Sequence, residues 1–433
     1  MINKRKLRAL FLKTLRKSLG NNIYLFIWKI WRVLKKLIQI IKSLFISQKA
    51  IEEFNISKNA KKIIQKNLGV NIIGYINAES GVGELSRGII KSVQASGMPF
   101  SLCNLYQEWT REGDKTYTDF SDNLPYDINL IVANADMMPL VYKQLGKEKF
   151  IGKYNIGVWA WELMKFPDIW LSAFKLVDEI WTISKFCKQA ISQATLKPVI
   201  NIPIPVEFKI DKKYTRQFFD IPKNIFVFLY AFDGLSYIER KNPFAVAKAY
   251  AKNFKKNKDT ILIIKCHQVT KDQLNILKKI LEECQYKFIT DYMNRDIVLG
   301  LLNCCDCYIS LHRAEGFGYM IAEAMFLGKQ VIATNWSGNL DFMTPENSNL
   351  INYKLVKIKK DAGPYKKGNL WAEANIKDAS RKMLSVFKNN NFSLPLCGQR
   401  TIHKLYSIKN TAQKINSRLL LVYKTKFEKT ILH

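Results

Sequence analysis

From residue 70 onward the chain repeats one pattern. Short runs of apolar, β-branched and aromatic residues, bounded by Gly, Pro, Asn or Asp, alternate with longer segments of helical period. Strands of a parallel sheet read this way, because helices cover both faces and leave no polar side. Strands are predicted near "VNIIGYI" (70–76), "INLIVAN" (128–134), "YNIGVWA" (154–160) and "DEIWTIS" (178–184). A second series follows at "NIFVFLYAF" (224–232), "TILIIKC" (260–266), "DCYISL" (306–311) and "KQVIAT" (329–334). Helices are predicted between them, over 243–255, 271–284, 294–304 and 317–327. "PVINIPIPVE" (198–207) separates the series, and its Pro203 and Pro205 read as a crossover linker, not as sheet interior. Two successive doubly wound α/β domains, divided near 205–222, account for the alternation. The expected organisation is 67–210, 211–395 and a helical tail at 396–433 that packs back toward the first domain.

The first 66 residues follow a different rule. In "NIYLFIWKIWRVLKKLIQIIKSLFI" (22–46), Lys29, Arg32, Lys35, Lys36, Gln39, Lys42 and Ser43 recur at steps of three and four. On a helix they form a narrow cationic stripe, opposite a broad apolar face carrying Trp28 and Trp31. That combination suits an anionic membrane surface, with packing on a protein as the alternative. No apolar run reaches the roughly 18 residues of a spanning helix, and lysines interrupt every candidate signal-peptide core. The expectation is a cytoplasmic chain, peripheral at the inner face of the cell membrane, with contacts through residues 1–46.

Charge sharpens this picture. The formal net charge is +32, and residues 1–66 hold seventeen Lys or Arg against two Glu. Nucleic acid also attracts such charge, but so apolar a face would be wasted on phosphates, and no nucleic-acid partner is expected. The eight cysteines include the cluster Cys304, Cys305 and Cys307, yet no CxxC or HxxxH pair accompanies it. Buried thiols in a reducing compartment are the reading, with no metal site.

The chemistry gathers at "ISLHRAEGFGYMIAEAM" (309–325), a strand, a glycine loop and a helix. Gly316 and Gly318 let backbone N–H groups approach a ligand, and a helix N-terminus favours an anion such as phosphate. Glu315 stands at the loop edge. Glu323, eight residues on, lies about 80° around the helix, placed to face the same ligand one subsite further. "ESGVGE" (79–84) makes a second glycine turn with Gly81 and Gly83; its spacing does not fit a dinucleotide fingerprint.

These segments resemble the retaining, nucleotide-sugar-dependent glycosyltransferases of GT-B fold usually called family four. The E-x7-E element with EGFG at its front matches Glu315 to Glu323, and the resemblance extends over roughly 70–430. "GYINAESGVGELSR" (74–87) resembles the family's first glycine loop. "WAWELMKFPDIWLSAFKLVDEIWTISKF" (159–186), "FDGLSYIERKNPFAVAKAY" (232–250) and "GNLDFMTPENSNLI" (338–351) resemble a bacterial surface-polysaccharide subgroup. The resemblance implies two Rossmann-like domains facing a cleft. It also implies transfer from a nucleotide sugar to a glycan or lipid-linked acceptor. Glu315 would contact the donor sugar and Glu323 the ribose, while Arg240 and Lys241 grip the diphosphate with Phe317 in the loop. Lys265 is a possible third cation or a surface lysine, and His312 either meets the donor or orients the loop. Trp159, Trp161 and Glu162 are candidates for the acceptor end, with core packing of at least one Trp equally open. Relatives carry a first-domain histidine that this chain lacks; Asn134, Asp136 or Glu162 are candidates for its place. No D-x-D occurs, so no metal or other cofactor is expected, the cations and backbone amides serving instead. Alternatives are another enzyme of the same fold, such as a sugar-nucleotide epimerase or glycogen-type synthase, or a non-catalytic membrane-associated scaffold.

Overall fold

Strands form where apolar runs meet a turn. The computed structural model describes residues 68–106, 111–389 and 393–427; the amphipathic region expected at 1–66 lies outside the described residues. In the first domain, β1 (Val70–Gly74), β3 (Ile128–Val132) and β4 (Tyr154–Trp159) are buried along their whole length. With β2 (Phe100–Asn104), β5 (Glu179–Thr182) and β6 (Val199–Asn201) they make a parallel sheet ordered β2-β1-β3-β4-β5-β6. The segment at 198–207 differs from expectation at its start. Val199–Asn201 pair with β5 as an edge strand, and the linker begins at 202, before Pro203 removes the next donor.

A line of asparagines ties this sheet together beneath its core. Asn71 Nδ2 donates to Asn129 Oδ1 at 2.8 Å, and Asn129 Nδ2 donates to Asn155 Oδ1 at 2.9 Å. All three are buried, and each amide is satisfied by its neighbour or a backbone carbonyl, so polarity here sets register without an orphaned group.

The second sheet is ordered β12-β11-β10-β7-β8-β9. Its strands are β7 (Phe226–Asp233), β8 (Thr260–His267), β9 (Tyr286–Ile289), β10 (Cys307–Ser310), β11 (Gln330–Thr334) and β12 (Asn349–Ile351). The order reverses between β7 and β10, the point where such sheets open a crevice at their carboxyl ends. An antiparallel hairpin, β13 (Tyr353–Lys357) and β14 (Leu370–Ala374), follows β12.

The last helix, Ile408–Lys426, returns to the first domain. Arg418 Nε donates to Glu179 Oε1 at 2.8 Å, and its terminal nitrogen meets the other oxygen of this fully buried carboxylate. The chain thus crosses between domains twice, and the crossings touch. Val206 N–H donates to the Tyr406 carbonyl at 2.7 Å, and Ile408 N–H donates to Glu207 Oε2 at 3.0 Å.

Candidate functional site

The second sheet supplies the charged half of the site. After β7 the chain turns into α4 (Ile238–Lys241), taking α1 (Gly81–Ala95), α2 (Met138–Leu145) and α3 (Lys185–Ser192) as the first domain's helices. Tyr237 (φ +64°) and Asn242 (φ +56°) flank α4 in the left-handed region, which is costly for residues with a Cβ. Asn242 is held there by its own side chain, whose Nδ2 donates to the Leu311 carbonyl at 3.1 Å. The result aims Arg240 and Lys241 at the loop leaving β10.

Glu315 meets both cations. Lys241 Nζ donates to its Oε1 at 2.5 Å, and Arg240 lies 3.2 Å from its Oε2 while also donating to the Ala314 carbonyl at 2.9 Å. Burial pushes the Glu315 carboxyl up, but Lys241 and then Arg240 overrule it and hold it at about 2. The site is therefore two cations and one anion, with a net positive charge sheltered from water. Next comes the helix Tyr319–Phe326; its N-cap is Gly318 at φ +92°, with no capping side chain, so its first N–H groups remain for a ligand.

The first domain supplies the opposite wall. Ser80 caps α1, its Oγ accepting from Gly83 N–H at 3.2 Å. A Cβ on Gly83 would lie 1.9 Å from the Ala78 carbonyl, so this tight turn excludes any side chain. Gly81 differs: a Cβ there would meet nothing within 4 Å, leaving backbone open to the cleft.

Two adjoining cavities lie between these walls. One, of about 420 Å³, is lined by Gly81, Asn134, Glu162, Arg240, Lys241, Glu315, Gly316 and Gly318. The other, of about 640 Å³, shares Ser80, Gly81 and Tyr319 with it and is lined further by Tyr292, Asn294, Arg295 and Glu323. Glu323 is 1% exposed, its Oε1 accepting from Arg295 and its Oε2 without a partner among the described residues. Burial pushes its carboxyl up, with Arg295 opposing. Arg295 also reaches Glu84 Oε2 on α1 at 3.1 Å, joining the two domains at this cavity.

Several expected residues lie elsewhere. Trp159 and Trp161 are 0% and 2% exposed, packed among Phe166, Phe174 and Tyr365, so neither indole offers a face to a sugar. His312 is fully buried; its Nδ1 lies 3.1 Å from Ser310 Oγ and its Nε2 3.1 Å from Asn339 Oδ1. Burial pulls its pKa down, so a neutral His312 braces the loop from behind. Lys265 lies within β8, near Asp233, and lines neither cavity. Phe317 does line the smaller cavity, while its ring packs inward onto Phe342 and Tyr406. Gly83 shapes its turn without lining either cavity, and Asp136 is exposed outside both. Cys304, Cys305 and Cys307 are buried thiols, and no group of ligating side chains suited to a metal occurs among the described residues.

Arg295, Glu84, Tyr319 and Tyr365 are at the site without having been singled out from sequence. Arg295 reaches Glu323 across 28 positions and Tyr365 reaches Glu162 across 203, far beyond any local motif.

Two facing parallel-sheet domains with a ligand crevice between them define the GT-B fold. Solved structures share it. The Anabaena HepE protein, crystallised with UDP and glucose, superposes with a TM-score of 0.56 at 13% identity, covering 82% of this chain and 100% of that one. Sucrose-phosphate synthase from Thermosynechococcus elongatus gives 0.60 at 11%, covering 83% and 100%. A glycosyltransferase from Rickettsia africae gives 0.58 at 15%, covering 84% and 100%. No curated protein sequence matches the chain. The family model "Glycosyl transferases group 1" matches residues 216–397, the domain that carries Arg240, Lys241, Glu315 and Glu323. The chain thus has the GT-B fold, and its second domain is similar to the group 1 glycosyl transferases.

Proposed function

We propose that the chain moves a sugar, with retention, from a nucleoside diphosphate sugar to a glycan or lipid-linked acceptor in surface-polysaccharide assembly. The observation that carries this reading is the Arg240–Lys241–Glu315 cluster at the mouth of the Tyr319 helix, with Glu323 in the adjoining cavity. The diphosphate sits in the smaller cavity. Cleavage of the sugar–phosphate bond leaves charge on the departing diphosphate, and Arg240, Lys241 and the uncapped helix N–H groups stabilise it as it forms. Glu315 accepts hydrogen bonds from the sugar, and the free Oε2 of Glu323 accepts one from the ribose. Fixed cations take the part that a divalent ion plays elsewhere, and no metal is proposed. HepE, the UDP-bound neighbour, supports a nucleoside diphosphate as the ligand class.

Thermal melting of the full chain with UDP, GDP, ADP and CDP tests the donor site. One nucleoside diphosphate should raise the transition through linkage; no rise with any of them defeats the reading. The acceptor class is tested with a lipid-linked oligosaccharide against a soluble one, and exclusive use of the soluble sugar refutes the lipid-linked assignment. Residues 1–46 are proposed to hold the enzyme on anionic membranes. Deleting residues 1–66 should abolish sedimentation with anionic liposomes, and unchanged sedimentation removes that part.

A further inference from the structure

The hairpin β13–β14 belongs to the second domain, yet its loop is built into the first. Ile358, Ala362 and Tyr365 are buried in the apolar cluster that contains Trp159 and Trp161. Tyr365 is 4% exposed. Its ring stacks on Trp161 with centroids 5.5 Å apart, and its hydroxyl donates to Glu162 Oε2 at 3.0 Å. On its other side the Arg240 guanidinium carbon lies 5.7 Å from the ring centroid. Tyr237 meets the same ring edge-on at 5.5 Å. The loop is shaped for this seat: Gly363 has φ +57°, and a Cβ there would lie 2.0 Å from the Tyr237 ring.

One phenol therefore touches a carboxylate from one domain and a cation from the other, and both line the same 420 Å³ cavity. We infer that Tyr365 is a positioning residue for transfer. It fixes the Glu162 carboxylate by occupying Oε2, leaving Oε1 for a hydroxyl of the sugar in the cavity, and it holds Arg240 against the departing diphosphate. Tyr365 touches no reacting atom; it acts through Glu162 and Arg240. Burial keeps its hydroxyl protonated, so it donates at every working pH. The inference rests on the donor reading given above, and its failure is separable from that reading.

The test is a cycle of Tyr365→Phe, Glu162→Gln and the double variant. Its readouts are UDP release from UDP-glucose and UDP-N-acetylglucosamine, and UDP-induced thermal shift. The Phe variant keeps the ring, its stacking on Trp161 and its contact with Arg240, and loses only the hydroxyl. Its kcat should fall about tenfold, as expected for losing a hydrogen bond to a charged group. Its KM and UDP-induced shift should stay within about twofold of wild type. The double variant should be no slower than Glu162→Gln alone, because both changes cut one connection. Wild-type kcat in Tyr365→Phe overturns the inference, as does a double variant showing the product of the two losses. Absence of a thermal shift with every one of UDP, GDP, ADP and CDP in the wild-type chain instead defeats the donor reading.

Discussion

Replacing Glu315 by Gln keeps the shape of the side chain and removes its charge. The wild-type carboxyl is held at about 2 against an ordinary 4.5, buried between Lys241 and Arg240. That difference corresponds to about 3 kcal/mol of folding stability at pH 7. A similar figure, about 3–5 kcal/mol, is expected from breaking a buried ion pair on one side. The sign follows from a depressed carboxyl: the contribution is complete above pH 4.5 and is lost as pH falls toward 2. At pH 3.5 about 2 kcal/mol should remain. Equilibrium urea unfolding of wild type and Glu315→Gln, at pH 7 and pH 3.5, measures the gap directly. Turnover of UDP-sugars by the variant should be lost at both pH values. Equal stability at pH 7, or a gap that fails to narrow in acid, refutes the account of this cluster.

Glu323→Gln should weaken UDP binding about tenfold, the value of one hydrogen bond to a charged acceptor, measured by isothermal titration. Arg418→Met leaves the Glu179 carboxylate buried without its guanidinium; stability should drop by about 3 kcal/mol in urea, with UDP affinity unchanged. The two glycines of the first loop should separate cleanly. Gly81→Ala adds a Cβ that meets nothing within 4 Å, so it should leave the melting temperature unchanged and raise the donor KM. Gly83→Ala forces a backbone carbonyl to move, so it should lower the melting temperature.

Buried strands were legible because apolar and β-branched residues dominate them, with single asparagines paired inside the sheet: Val70–Gly74, Ile128–Val132 and Phe226–Asp233 begin within two residues of the expected positions. The strands not anticipated lie at edges or in the hairpin. β9 (YKFI) and β13 (YKLVK) are partly exposed and carry lysines, which makes them read as surface chain. At the site, Glu315 could be anticipated because the glycine loop and the helix start announce a ligand, and Arg240 and Lys241 through the family resemblance. Arg295 could not, since only folding brings it to Glu323 and Glu84. The alternating Trp159 and Trp161 suggested an open stacking face, and the covering residue, Tyr365, is some two hundred positions away. Burial of that kind has no local signature.

The two domain crossings lie side by side and hydrogen-bond to each other, so the domains are tied together at this place. A further consequence concerns how the protein can be divided. A cut near residue 210 would not yield two self-sufficient halves: the first would lack the terminal helix that neutralises Glu179, and the second would carry that helix with no surface to cover it. The N-terminal lobe is thus finished only once residues 408–426 have been made.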